Sequence, residues 1–158
     1  MKLAEQVLDA ARARGWRIAT AESCTGGMVA SALTDIAGSS DVFDRGFVTY
    51  SYESKEDMLG VSRITLQEHG AVSHEVAEEM ARGALRESQA DIAVAITGVA
   101  GPGGSENKPE GLVWFGIASS DGAETEEIQF GAIGRQKVRQ ASVEHALRML
   151  LKVLKMPK

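Results

Sequence analysis

Apolar positions at the start of the chain fall at helical spacing: Leu3, Val7, Leu8 and Ala11, with Gly15 following as a C-cap. Trp16 to Ala21 then reads as a first strand. Gly26 to Ile36 reads as a helix rich in small residues, broken by Ala37-Gly38-Ser39-Ser40. Phe43 to Ser51 is rich in aromatic and β-branched residues and predicts a second strand. Glu53 to Leu59 predicts a short helix closed by Gly60, and Thr65 to His69 a further turn closed by Gly70. Ser73 is placed to cap a helix from His74 to Ser88, with Glu75 in its first turn. Asp91 to Ile96 carries a continuous apolar run, the mark of a strand covered on both faces. A Gly- and Pro-rich loop spans Thr97 to Pro109. Gly111 to Ser119 and Glu124 to Phe130 predict a hairpin around Asp121-Gly122. Val138, Val143, Ala146, Leu147, Leu150 and Leu151 mark a last helix from Arg135 to Leu154.

Helices and strands alternate early and a hairpin comes late. The expected fold is a single α/β domain over residues 1–158, with a mixed β-sheet and helices packed on both faces. A chain of 158 residues is long enough for one core. Its 44% hydrophobic and 25% charged residues match a soluble globular protein. The net charge of −5 and the lack of a basic stripe argue against a nucleic-acid partner. Arg148, Lys152, Lys155 and Lys158 read as a solvated helix face. One cysteine allows no intrachain disulfide. The amphipathic start contains Glu5 and is no signal peptide, and no apolar run approaches membrane-spanning length. A cytoplasmic protein with no membrane partner is expected.

Thr20-Ala21-Glu22-Ser23-Cys24-Thr25-Gly26-Gly27 is a hydroxyl-rich, glycine-containing turn between the first strand and the second helix. Backbone N–H groups at such a helix start can hold a phosphate, or an oxyanion beside a nucleophile. Ser23 is either a capping hydroxyl or that nucleophile. Cys24 reads as an inert small residue, with no histidine nearby to activate it. Tyr50 ends a strand and Lys55 follows on a helix. Their plain reading is an aromatic packing residue and a surface lysine. A lysine desolvated beside a phenol can instead accept the proton of a serine, so Ser23, Tyr50 and Lys55 together would make a histidine-free acyl-transfer site. The Thr97–Pro109 loop leaves a buried strand at the edge where α/β sheets bind ligands. It matches neither a P-loop nor a dinucleotide fingerprint. Arg135 and Arg139, one helical turn apart, are either solvated or a clamp for an anionic substrate. His69, His74 and His145 lack ligand spacing, so no metal and no cofactor is expected.

Four segments in order resemble the CinA C-terminal domain family: Ala21-Glu22-Ser23-Cys24-Thr25-Gly26-Gly27; Gly38-Ser39-Ser40 with Gly46-Phe47-Val48-Thr49-Tyr50-Ser51 and Lys55; Gly70-Ala71-Val72-Ser73; and Gly98-Val99-Ala100-Gly101-Pro102 with Gly103-Gly104-Ser105 and Lys108-Pro109. The resemblance runs from about residue 3 to about residue 150, and is to the standalone form of the domain. Two positions and one segment depart from the family pattern. Tyr52 stands where Asn is common, Glu110 replaces an apolar residue, and Phe130-Gly131-Ala132-Ile133-Gly134-Arg135 lacks the usual Asp.

The resemblance implies hydrolysis of the carboxamide of nicotinamide mononucleotide, giving nicotinic acid mononucleotide and ammonia in pyridine nucleotide recycling. Ser23 would attack, with Lys55 and Tyr50 moving its proton. Thr25, Gly26 and Gly27 would supply oxyanion contacts, and Thr97, Gly98 and Arg139 would bind the nucleotide. Ser40 is both a substrate-binding candidate and the rival nucleophile. The expected partner is a small-molecule nucleotide, and the expected assembly a homo-oligomer, dimer or trimer. Two other readings stand beside this one: a catalytically silent nucleotide-binding regulatory module, and an amidohydrolase of another small amide.

Overall fold

A computed structural model describes residues 1–157, so Lys158 of the basic helix face lies outside the described residues. The strands are β1 (Ile18–Glu22), β2 (Phe43–Val48), β3 (Ile92–Gly98), β4 (Leu112–Ser119) and β5 (Gly122–Gln129). The helices are α1 (Leu3–Arg14), α2 (Met28–Thr34), α3 (Tyr52–Leu59), α4 (Arg63–His69), α5 (His74–Arg86) and α6 (Arg135–Leu154), with a 3-10 turn at Ser39–Asp41. The strands form one sheet in the order β2-β1-β3-β4-β5. β1 pairs in parallel with β2 and β3, while β4 and β5 run antiparallel. The α/β fold with a mixed sheet read from the sequence is present.

Side chains alternate across the central strands by size. Ile92, Val94 and Ile96 of β3 join Ile18 and Phe115 in one cluster with the buried residues of α1, α2 and α6. Ala93 and Ala95 join Ala19 and Ala21 in the cluster against α5. The alanine face lets α5 approach closely. A Cβ on Gly116 of β4 would lie 2.4 Å from the Ala77 carbonyl oxygen of α5. Helices therefore cover both faces, and β1 and β3 are buried along nearly their whole length.

The connection from β1 to β2 uses α2 on one face, and that from β2 to β3 uses α3, α4 and α5 on the other. Strand order reverses between β1 and β3, and in open α/β sheets a crevice opens there at the carboxyl ends of the strands. The chain reaches that crevice at Ser23 and again at Gly98.

Several element ends differ from expectation. β1 starts at Ile18, not Trp16, and runs on to Glu22. α2 starts at Met28, because Gly26 and Gly27 have φ of 57° and 105° and cannot belong to a right-handed helix. β2 stops at Val48, and Ser51 turns the chain into α3 by accepting the Ser54 N–H at 3.1 Å. The turn expected at Thr65–His69 is the helix α4, capped by Ser62. α5 ends at Arg86, two residues early. The hairpin turns at Ser120-Asp121, with Gly122 already opposite Ser119 in β5. Among the described residues no helix is long and apolar enough to cross a membrane.

Candidate active site

β1 delivers Ser23 to the crevice. Its N–H donates to the Ile96 carbonyl of β3 at 2.9 Å, so the residue leaves the sheet from a fixed point. Glu22 just before it is 1% exposed. Its Oε1 accepts from Thr25 Oγ1 at 2.6 Å and Val29 N–H at 2.9 Å, and its Oε2 from Ala30 N–H at 3.0 Å. A buried carboxylate thus binds the first N–H groups of α2, where negative charge is favoured. The Gly26 N–H turns back to the Ser23 carbonyl at 3.1 Å. From the outer side, Arg139 Nε donates to the Cys24 carbonyl at 3.0 Å and its Nη2 to that of Thr25 at 3.4 Å.

Lys55 comes from α3 and is 1% exposed. Its Nζ donates to Ser23 Oγ at 2.9 Å, to the Thr49 carbonyl at 2.7 Å and to the Tyr50 carbonyl at 3.3 Å. Among the described residues no carboxylate forms an ion pair with it. Burial pushes its pKa down to about 8 from 10.5, outweighing the opposite pull of Cys24 and Glu106. In the neutral amine the two carbonyls retain the two N–H groups, and the lone pair then faces the Ser23 hydroxyl. Cys24 beside it is inert at ordinary pH, since burial pushes its thiol up to about 12.

The cleft over this pair has a volume of about 200 Å³. Its walls include Tyr50, Tyr52, Ala71, Val72, Thr97, Gly98, Glu106 and Arg135. Thr97 Oγ1 donates to the Ala71 carbonyl at 2.9 Å, joining the end of β3 to the corner before α5. A Cβ on Gly98 would lie 2.7 Å from Val113 Cγ2, so glycine there permits the tight pairing with β4. Glu110 bridges two parts of the rim, accepting from Gly103 N–H at 2.8 Å and from Gly134 N–H at 3.1 Å. It thereby holds the residue just before α6, a helix with no side-chain cap at Gly134. A second cleft of about 370 Å³ lies by the β4–β5 hairpin, at the far edge of the sheet from Ser23, and includes Arg14, Arg82 and Glu124.

Of the candidates read from the sequence, Ser23, Lys55, Tyr50, Thr97 and Gly98 come together here. Four others brace the turn from behind. The Thr25 hydroxyl is turned to Glu22, the Gly26 N–H is taken by the Ser23 carbonyl, Gly27 is the N-cap just before α2, and Arg139 holds two carbonyls. Arg135, one turn earlier on α6, is the arginine that reaches the cleft. Ser40 lies in the 3-10 turn before β2, beside the start of β1, and so at the other end of the sheet from Ser23. The Tyr50 phenol does not reach Lys55. Its oxygen accepts from Arg135 Nη2 at 3.0 Å, and only the Tyr50 main chain meets the lysine. His69 and His74 both approach Glu75, at 3.5 and 3.0 Å, on the surface outside the cleft.

From the sequence, Glu22 is read only as part of its turn, with no role of its own, and Glu106 is not singled out. A lone acid closing an apolar strand directly before a Ser/Thr/Gly turn is a usable signal for Glu22. Nothing local marks Glu106.

Residues 1–154 match the CinA C-terminal domain family. The nicotinamide-nucleotide amidohydrolase PncC of Escherichia coli strain K12 is 53% identical over 151 residues, covering 95% of this chain and 92% of that protein. The crystal structure of the competence/damage inducible protein CihA from Agrobacterium tumefaciens aligns with a TM-score of 0.93 at 50% identity, covering 98% of this chain and 94% of that one. The competence damage-inducible protein A (ComA) from Klebsiella pneumoniae aligns with a TM-score of 0.95 at 41% identity, covering 99% and 97%. Sequence and architecture agree along nearly the whole length, and the chain belongs to the CinA C-terminal domain family.

Proposed function

We propose that the chain is an amidohydrolase that converts nicotinamide mononucleotide to nicotinic acid mononucleotide and ammonia, in pyridine nucleotide recycling. The observation that carries this reading is the buried Lys55 amine 2.9 Å from Ser23 Oγ. A desolvated lysine with a lowered pKa can act as general base at a pH where an exposed one cannot. The similarity to the Escherichia coli enzyme supports the choice of substrate.

Neutral Lys55 accepts the Ser23 hydroxyl proton as Oγ bonds to the carboxamide carbon. The carbonyl π electrons move onto oxygen, giving a tetrahedral oxyanion. As the oxyanion collapses, the C–N bond breaks and the Lys55 ammonium gives its proton to the departing nitrogen, which leaves as ammonia. The remaining ester on Ser23 is cut by water, with Lys55 taking the water proton and returning it to Ser23 Oγ. Tyr50 serves through its main-chain carbonyl, which holds one lysine N–H, rather than as a proton relay. Exposed Arg135 at the cleft is the cation available to a substrate phosphate.

The test is ammonia release from nicotinamide mononucleotide by the pure protein, with chelator present, compared with Ser23→Ala. Release by the first alone supports the reading. No release from either favours a silent binding module, and release restored only by added metal removes the serine–lysine chemistry.

A further inference from the structure

Among the described residues, Glu106 contributes the only carboxylate in the walls of the Ser23–Lys55 cleft. Two successive backbone donors, Ala71 N–H and Val72 N–H, hold it at 3.1 Å each, and the Tyr52 hydroxyl donates to it as well. Lys108 Nζ lies 3.4 Å away but also donates to the His69 and Val72 carbonyls, and it stands outside the cleft lining. Glu106 itself has φ of 54°, a left-handed conformation uncommon for glutamate, and Asn107 follows at 62°. A side chain held in such a backbone by four donors is fixed in place as a charge facing the cleft. These donors keep the carboxyl below its usual range, so it stays ionised at working pH.

A nicotinamide joined to a sugar through its ring nitrogen carries a fixed positive charge. Attack by Ser23 on the carboxamide carbon brings that ring into the same cleft, beside a lysine that must be neutral to act. We propose that Glu106 is a specificity-determining residue whose carboxylate recognises the positive ring, so that the site selects N-glycosylated pyridinium carboxamides over neutral isosteres. This rests on the amidohydrolase reading above. Tyr50 and Tyr52 are the aromatic rings of the same cleft and suit a delocalised cation. Free nicotinamide, with an uncharged ring, lacks the feature that Glu106 reads.

Binding is measured by calorimetry in Ser23→Ala protein, so that nothing is hydrolysed. The two ligands are nicotinamide mononucleotide and its neutral analogue, benzamide riboside 5′-phosphate, in which carbon replaces the ring nitrogen. The cationic ligand should bind at least about tenfold more tightly, the effect of one partly screened charge pair. Adding Glu106→Gln should remove most of that preference while leaving the affinity for the neutral ligand nearly unchanged. If Glu106 only straps the loop to the corner before α5, both affinities fall together and the proposal is overturned. Equal affinities in the Ser23→Ala protein overturn it even if the double variant fails to fold. Turnover by the wild type combined with equal affinities removes this inference alone. Neither turnover nor binding removes the amidohydrolase reading and this inference with it.

Discussion

Lys55 Nζ sits 2.9 Å from Ser23 Oγ while the Thr49 and Tyr50 carbonyls hold its other two positions, so the serine faces the one site where the neutral amine has its lone pair. The reactive form is the unprotonated one. With a folded pKa of about 8, the neutral fraction rises with pH and levels off above that value. kcat/KM for nicotinamide mononucleotide should therefore climb close to tenfold per unit on the acid side and flatten above about pH 8. A profile flat across that range would mean that Lys55 is not the base.

Replacing Lys55 by arginine separates base from anchor. Arginine keeps the charge but has no accessible neutral form. Lys55→Arg should lose at least about 100-fold in kcat, the lower end of what a general base contributes. Near-normal kcat with a raised KM would make Lys55 a phosphate anchor and leave Ser23 without an activator.

The same burial predicts a stability effect of definite sign. Lys55 binds its proton less tightly in the fold, with a pKa of about 8 against 10.5. Between those values the unfolded chain holds more protons, so wild-type stability rises with pH there. Lys55→Met removes this dependence. Wild type should gain on the variant by about 1–3 kcal/mol between pH 8 and 10.5, read from urea midpoints, with little relative change from pH 6 to 7. A parallel pair of pH profiles would contradict the lowered pKa.

Glu22 makes a different kind of contribution. It touches no cleft wall, yet its three hydrogen bonds set the turn that carries Ser23. Glu22→Gln keeps the shape but puts an NH2 where an acceptor is needed. The cost should be about 1–3 kcal/mol in stability, that of a buried donor left without a partner. As a positioning residue it should lower kcat more than it raises KM, because misplacing a nucleophile is felt mainly in the transition state. Equal effects on both would reduce its role to folding.

The elements that could be read in advance are those whose signals are local. α6 follows its apolar spacing from Arg135 to Leu154, and Gly15 and Gly60 end their helices in left-handed conformations. The start of α2 was hidden because two consecutive glycines, which look like the first helical turn, hold positive φ instead. Within the site, Ser23 and Lys55 are legible as types, since a strand-to-helix serine and a strand-following lysine are local patterns. Which of Arg135 and Arg139 enters the cleft is a question of helix rotation, settled by packing of α6 on the sheet. Glu106 reaches Ala71 from 35 positions away, a pairing no local pattern carries.

Tyr50 tests whether the proton path has two members or three. Its backbone carbonyl takes part in holding Lys55, and substitution leaves that contact intact. Its hydroxyl instead accepts from Arg135, at 3.0 Å, in an exposed position. An exposed hydrogen bond of this kind is worth about 1 kcal/mol or less. Tyr50→Phe should therefore keep kcat within about threefold of wild type and leave the acid limb of its pH profile in place, since neither Ser23 nor Lys55 is disturbed. Any loss should fall on KM, through a less ordered Arg135 at the cleft. A variant inactive in kcat but normally folded would show that the phenol moves to Lys55 when substrate binds, and would restore Tyr50 to the relay.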